Sequence, residues 1–452
     1  MYYNKFVNEQ RKSAYINDLL KAQSYFKIKS RKLYSFFNII VLFICIFLFD
    51  FKYKKMNILS EISEVNLKVK GNGNIKLFSD SFFGLYNHCD IFLSEAKYSD
   101  INVLYLEQQT SQSINDIKII WYDTIITTEK MFEDCGKIVE IDLSKFDSSL
   151  VNNMNNMFYY CYSLTSINLL NFDTSKVINM KQMFTHCSSL KSLNLSNFNT
   201  SLVNDMTKMF FNCTSLNELN LSNFDTSEVK YMNYMFYKCE KLQFLDLSHF
   251  DTSNVETMNY MFEQTLLTSL NLYSFNTSHV IDMRGLFHRC RNLVSLDLSN
   301  FDTSNVKYMS DMFYGCTNLK TLNISNFDTS NVEEMKNMFY NCLMINSLDL
   351  SNFNIDSVSN FISMFQGCIN LEYINLNISN INSDAQTMNI FSSTPKNLII
   401  CFEDIHNKKM FIFNELKKYQ CNIPYSQNKY ICLMKNSSLL NNYICDICKK
   451  NC

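Results

Sequence analysis

The sequence predicts a repeat solenoid of about ten to eleven 26-residue units, each a short strand plus a short helix, stacked on a parallel β ladder. Three observations carry that expectation. A phrase of the form SNFDTSNV followed by M-x-x-MF-x-x-C recurs along the chain. Its phenylalanine falls at Phe146, Phe172, Phe198, Phe224, Phe250, Phe275, Phe301, Phe327 and Phe353, every step being 26 residues except one of 25 between Phe250 and Phe275. A period of that size marks units that bury their apolar faces only against their neighbours. An L-x-L alternation recurs at a fixed offset from each phenylalanine. Finally, glycine (7) and proline (2) are scarce while apolar residues make up 47% of the chain, which suits a continuous core and not a linker-rich or collagen-like sequence.

Each element follows from one unit, Leu293–Asn318. Leu296 and Leu298 flank Asp297 with period two, a short strand with both leucines facing inward. Equivalent pairs run from Ile141/Leu143 to Ile374/Leu376. Past Phe301, Asp302-Thr303-Ser304 offers side-chain oxygens to the free amides of a helix start. Val306, Met309, Met312 and Phe313 then stand at i, i+3, i+6 and i+7, the apolar stripe of a short helix. Cys316 and Leu319 close the loop to the next strand. This is the leucine-rich-repeat plan. The methionines of the stripe read as unbranched filler between layers. The cysteines that end each stripe, from Cys135 to Cys368 with Thr265 in one rung, read as buried free thiols: equivalent rungs carry parallel Cβ vectors and no converging cluster.

The solvent-facing side of the strands is the expected binding surface, because solenoids use their concave side. Its central column consists of Asp and Asn, including Asp246, Asp297 and Asp349, and its flanks are mostly serine. Glu218, Phe244, Tyr273 and Tyr373 depart from the serine pattern and are the candidate contacts together with those aspartates. Two readings of the column stand side by side: a repetitive surface for a glycan or matrix fibre, or amide and carboxylate side chains holding the rungs in register.

At the level of these motifs the chain resembles the BspA-like leucine-rich-repeat family, the 26-residue repeat of bacterial surface proteins, over residues 117–400. Ile117–Trp121, Met131-Phe132 and Cys135 resemble the family's lead-in cap. Beyond Leu376 the pattern fades: Phe391 and Ile400 keep the period, but Ser393 and Thr394 stand at the cysteine position, as in a capping repeat. The resemblance implies an exported or cell-surface protein engaged in adhesion or in host and matrix contact, with no catalytic residues to carry over.

The ends complete the domain plan. Residues 1–32 form a basic tail, its lysines and arginines from Lys5 to Lys32 opposed only by Glu9 and Asp18, which places it in the cytoplasm. Residues 33–51 are read as a transmembrane signal-anchor, and a cleaved signal peptide fits the short apolar core but finds no A-x-A site after it. Residues 52–116 are a stalk with an N-terminal cap, 117–400 the repeats, and 401–452 a cysteine-rich tail. In an exported chain Cys401, Cys421, Cys432, Cys445, Cys448 and Cys452 suggest disulfides, and with inverted topology Cys445-x-x-Cys448 would suit zinc. Among the N-x-S/T sequons, Asn194, Asn220 and Asn323 are by-products of the repeat, and Asn436 in the tail is the candidate acceptor.

A net charge of −2 with no basic stripe argues against nucleic acid as a partner. The six histidines are scattered and form no constellation with a nucleophile, so neither an enzyme nor a cofactor or metal is expected. The leading expectation is a single-pass cell-membrane protein with its C-terminal portion outside, recognising host, matrix or surface proteins or glycans through the solenoid face. Its rival is a structural surface-coat component, with the solenoid as spacer and the tail as a disulfide cross-link between copies.

Overall fold

The computed structural model describes residues 63–71, 73–97, 105–108, 114–376, 385–395, 398–403, 425–427 and 430–434. The expected signal-anchor at 33–51, the cysteines Cys421, Cys445, Cys448 and Cys452, and Asn436 lie outside the described residues. Among the described residues no helix is long and apolar enough to cross a membrane.

The solenoid begins under an antiparallel cap. Strands β1 (Ser63–Lys70), β2 (Gly73–Lys76), β3 (Cys89–Leu93), β4 (Ala96–Lys97), β5 (Tyr105–Gln108), β6 (Ile114–Trp121) and β7 (Ile138–Lys145) surround helix α1 (Asp80–Leu85), and β8 (Ser166–Asn168) follows. In β1 the period-two pattern buries Val65, Leu67 and Val69 on one face. β1 lies antiparallel between β6 and β7, and β7 in turn pairs parallel with β8, so one sheet of order β4-β3-β6-β1-β7-β8 converts the cap into the repeat. Helix α1 starts where the Ser79 hydroxyl accepts the Phe82 amide (3.1 Å). The cap core is aromatic: Trp121 is fully buried, donates its ring N–H to the Tyr86 carbonyl (3.2 Å), and lies edge-on to Phe78 (5.2 Å) and to the first repeat phenylalanine, Phe146 (6.2 Å).

The repeat solenoid and its parallel ladder are present as the sequence predicts. The remaining strands are β9 (Ser192–Leu193), β10 (Glu218–Leu219), β11 (Ser295–Asp297), β12 (Thr321–Asn323), β13 (Ser347–Leu350), β14 (Tyr373–Leu376), β15 (Ile399–Glu403), β16 (Tyr425–Gln427) and β17 (Tyr430–Met434). β9 pairs parallel with β10, β11 with β12, β13 with β14, and β14 with β15. β17 then lies antiparallel on β15, and β16 on β17, which ends the array. A second parallel ladder of single bridges runs unbroken along the other side, from Asn153 through Asn179, Asp205 and each later rung to Gln386.

Among the described residues the units carry turns where the short helix was expected. In the rung at 151–164 the stripe Val151, Met154, Met157, Phe158, Cys161 and Leu164 is fully buried as predicted, but the backbone is a chain of tight turns. The amides of Met157, Tyr159 and Cys161 bond back three residues, to Met154, Asn156 and Phe158 (3.1–3.2 Å). The alternate amides of Met154, Asn156, Phe158 and Tyr160 bond forward into the next rung, to Asn179, Lys181, Met183 and Thr185 (2.9–3.0 Å). With the Asn155 amide taken by the Asn153 side chain (3.0 Å), the amides from Met154 to Cys161 are all satisfied without helix geometry. Two columns of residues in the left-handed region make the turns possible. One runs through Asn156, Gln182, Lys208, Tyr234 and Tyr260 to Gly285, and the other through Tyr160, His186, Asn212 and Lys238 to Gly315 and Gly367. At Gly285 the ring of Tyr260 also occupies the space a Cβ would need.

The helix cap is replaced as well. The Asp302 carboxylate accepts the Ser304 amide (3.0 Å), two residues on, as an Asx turn. The buried Thr303 hydroxyl donates to the Asp328 carbonyl of the next rung (2.7 Å), and the same bond recurs from Thr174 to Thr329. Beneath the turns, the phenylalanines of the MF pair stack without interruption from Phe132 to Phe391 with centroids 5.3–5.9 Å apart.

A substitution at Gln182 separates a turn from a helix. At φ 56°, Gln182→Gly should be neutral or stabilising in chemical denaturation, and Gln182→Val should cost about 2 kcal/mol. A loss of about 1 kcal/mol on Gln182→Gly, the cost of glycine in a helix interior, would contradict the turn.

Candidate functional site

The strand face is built from an Asx turn repeated rung after rung. The central-column carboxylates and amides bind the backbone amide two residues on: Asp246 accepts from Ser248 (2.9 Å), Asn271 from Tyr273 (3.1 Å), Asp297 from Ser299 (3.0 Å) and Asp349 from Ser351 (3.1 Å). These bonds lie within one rung. Between rungs the column is joined where Asn168 donates to Asp142 (2.9 Å) and Asn375 to Asp349 (3.1 Å). Register is held instead by the asparagine of the SNF phrase. Asn223 donates to the Leu195 and Phe198 carbonyls (3.0 and 2.7 Å), and Asn300 to those of Leu272 and Phe275 (2.9 and 3.0 Å). The carboxylates respond to their turns. The bonds from Ser304 hold Asp302 below the usual carboxylate range, and those from Ser227 do the same to Asp225.

The predicted contact residues fall into two places. Glu218, Phe244, Asp246 and Tyr273 occupy three successive rungs, and Asp297 the next. Asp349 in β13 and Tyr373 in β14 lie further along; Asp349 is exposed, and Tyr373 is half-buried. Phe244 and Tyr273 are 73% and 84% exposed, more than any other large apolar or aromatic side chain on the described surface. They stand where the strand ladder lapses. No strand is formed between β10, ending at Leu219, and β11, starting at Ser295. Across the same rungs the turn side stays bonded, Met232 to Thr257 (3.0 Å) and Met258 to Asp282 (3.2 Å). The lapse coincides with the 25-residue step, whose missing residue lies in the turn Thr265-Leu266-Leu267, one shorter than Cys239-Glu240-Lys241-Leu242.

The cysteine column contributes packing and a hydrogen bond that its spacing did not reveal. Each thiol from Cys161 to Cys368 donates to the carbonyl of the preceding rung's stacked phenylalanine, as from Cys161 to Phe132 (3.1 Å) and from Cys316 to Phe287 (3.1 Å). Thr265 breaks the series by donating within its own rung to Phe262 (2.9 Å). Burial pushes the Cys213, Cys290 and Cys368 thiols up to about 12, so they carry no nucleophilic thiolate at neutral pH.

Sequence reasoning missed a groove of about 1190 Å³ where the cap meets the first rungs, lined by Glu64, Lys68, Lys118, Glu140, Lys145 and Asn168 among others. Its charges answer one another: Lys68 pairs with Glu140 (2.8 Å) and Lys145 with Glu64 (3.0 Å). Partial burial pushes the Glu64 carboxyl up, and its bonds from Lys145 and Asn66 with the Lys118 charge outweigh this and hold it below its ordinary value. The only sign of this groove in the sequence is the charged alternation of β1. Elsewhere, half-buried His288 and buried Glu263 pair across a rung (2.9 Å), with His288 stacked on Tyr314 (4.6 Å). Among the described residues no group of His, Cys, Asp and Glu could hold a metal ion.

Three overlapping stretches of the chain, 126–243, 186–296 and 282–398, match the family described as a Mycoplasma protein of unknown function, DUF285. No curated protein matches the chain. Among solved structures, a chain of the Toll–Spätzle complex, described as a molecular hub in Drosophila development and innate immunity, is similar at 17% identity with a TM-score of 0.28. That alignment covers 58% of this chain and 30% of the other, and a likeness so slight carries no argument about shape or partner.

The depressed carboxylates fix the sign of an acid response. A group whose folded pKa lies below its unfolded value contributes stability above the unfolded value, about 3.9 for aspartate, and loses it as pH falls through the folded value. The unfolding midpoint should therefore drop as pH falls below about 4. Asp225→Asn with Asp302→Asn should flatten that limb while leaving the midpoint at pH 7 nearly unchanged, since asparagine keeps the acceptor, as Asn276 does toward Ser278. An acid limb that the double variant leaves unaltered would assign the effect to other groups. Alkylation gives a second check: in the native chain the nine repeat thiols from Cys135 to Cys368 should react with iodoacetamide only on unfolding.

Proposed function

The chain belongs to the DUF285 family, which matches it over more than half its length, and from that premise we propose that it is a cell-surface recognition protein working through the strand face around Phe244 and Tyr273. The observation that carries this reading is the pair of aromatic side chains, 73% and 84% exposed, in successive rungs of a face that is otherwise small and polar. An exposed aromatic ring leaves its apolar area in water and is a common anchor of binding surfaces. The surrounding Asp246, Asn271 and Asp297 have one oxygen engaged by the backbone and are exposed for polar contacts. The invariant residues of the repeat are consumed by core and register, so recognition falls to the departures from the repeat. Anchoring through 33–51 with the repeats outside, adhesion as the purpose, and membership in the BspA-like branch of surface proteins are parts of the same proposal.

The test is binding of the full-length chain in detergent to arrays of glycans and of matrix proteins. Phe244→Ala and Tyr273→Ala should each weaken a saturable interaction by about 2 kcal/mol, roughly thirtyfold in Kd, with the unfolding midpoint unchanged. Binding indifferent to both substitutions would remove the face from the reading. An absence of ligand together with disulfide-linked multimers that disappear on Cys452→Ser would favour the surface-coat role.

A further inference from the structure

We propose that Cys401 and Cys432 form a disulfide that fastens the last rung to its C-terminal cap. Six cysteines from Cys401 to Cys452 admit fifteen complete pairings, and spacing alone selects none. The strand register does select. β15 and β17 are antiparallel with Ile399 opposite Met434, Ile400 opposite Leu433, Cys401 opposite Cys432, Phe402 opposite Ile431 and Glu403 opposite Tyr430. Among the described residues no other two cysteines are strand partners. Directly opposed residues of an antiparallel pair have Cα atoms about 4.5 or 5.5 Å apart, depending on the hydrogen-bonding position, and both values fall within the span of about 4.4–6.8 Å that a disulfide bridges. By Cα spacing the pairing is within reach whichever kind of position this is.

The same register separates these thiols from those of the repeat. Cys401 pairs with Asn375, the partner of Asp349, so by register it stands in the central column of the strand face, whereas the repeat thiols are buried. Closure of the bond takes an oxidant. The oxidant is a disulfide, either a small-molecule one or that of an oxidoreductase. One cysteine thiolate attacks it to form a mixed disulfide, and the second thiolate displaces the leaving thiolate to close the Cys401–Cys432 bond. Two thiol protons are released, and the two electrons reduce the oxidant's disulfide to two thiols. The bond closes a loop of roughly thirty residues, long enough for a cross-link to restrict the unfolded chain appreciably. The proposal is independent of any ligand on the strand face.

Peptide mapping of the full-length chain after incubation with oxidised glutathione tests it directly. Cleavage after Lys396, Lys408, Lys429 and Lys435 places Cys401, Cys421 and Cys432 on separate tryptic peptides. The expected product is the 397–408 peptide joined to the 430–435 peptide, split by reductant into two peptides with one free thiol each. Finding either cysteine joined to Cys421, Cys445, Cys448 or Cys452, or finding both alkylated in the oxidised chain, overturns the pairing. The wild-type map does not depend on a variant that folds. As a second measurement, Cys401→Ser should abolish the reductant-sensitive part of the unfolding midpoint, and an unchanged reductant response would also overturn it.

Discussion

The forward hydrogen bonds of the turn side hold the molecule together, because they set the distance between rungs that every other contact must obey. Alternate amides of each MF segment reach the next rung, and they do so without a gap across the short rung, where the strand face lets go. Once that spacing is imposed, the stacked phenylalanines, the thiol-to-carbonyl bonds and the threonine bridges fall into place as copies of one geometry. The strand face, usually the stiffest part of a parallel array, is here the secondary ladder and occurs in short segments.

That inversion explains which parts of the fold were legible in the residues. The period, the inward columns and the parallel stacking could be read because burial depends only on where apolar side chains recur, and Val306, Met309, Met312 and Phe313 are all fully buried. The backbone beneath them was misread because the spacing i, i+3, i+6, i+7 is produced equally by a helix and by a train of three-residue turns. A signal did exist. Three of the seven glycines, Gly285, Gly315 and Gly367, sit in the two left-handed columns, and Asn156, Asn212, Asp311, Asn337 and Asn341 sit there too, residue types that tolerate positive φ. Lysine, tyrosine and glutamine in the same columns obscured it.

The candidate site was half legible. Phe244 and Tyr273 stand out from a serine background in the sequence and stand out of the surface in the fold. The lapse of the ladder around them could not be read, because Leu245-Asp246-Leu247 and Leu270-Asn271-Leu272 keep the strand pattern; only the missing residue after Thr265 marks the place. The aspartates of the central column proved to have structural work within their own rung, which the choice between ligand contact and inter-rung ladder had not anticipated. The paired charges of β1, β6 and β7 were invisible for a different reason: their partners lie more than seventy residues apart in one case, Glu64 with Lys145.

The caps at the two ends have a consequence for how this chain behaves in company. A stack of identical parallel rungs is the architecture of a fibril, and an open end would offer its unpaired backbone to the next chain that arrived. Here β1 closes one end against β7 and β17 closes the other against β15, both antiparallel and both unlike the rung they cover. Adding a further parallel rung at either end of the strand ladder would first require displacing an antiparallel strand that already holds the backbone bonds of the last rung.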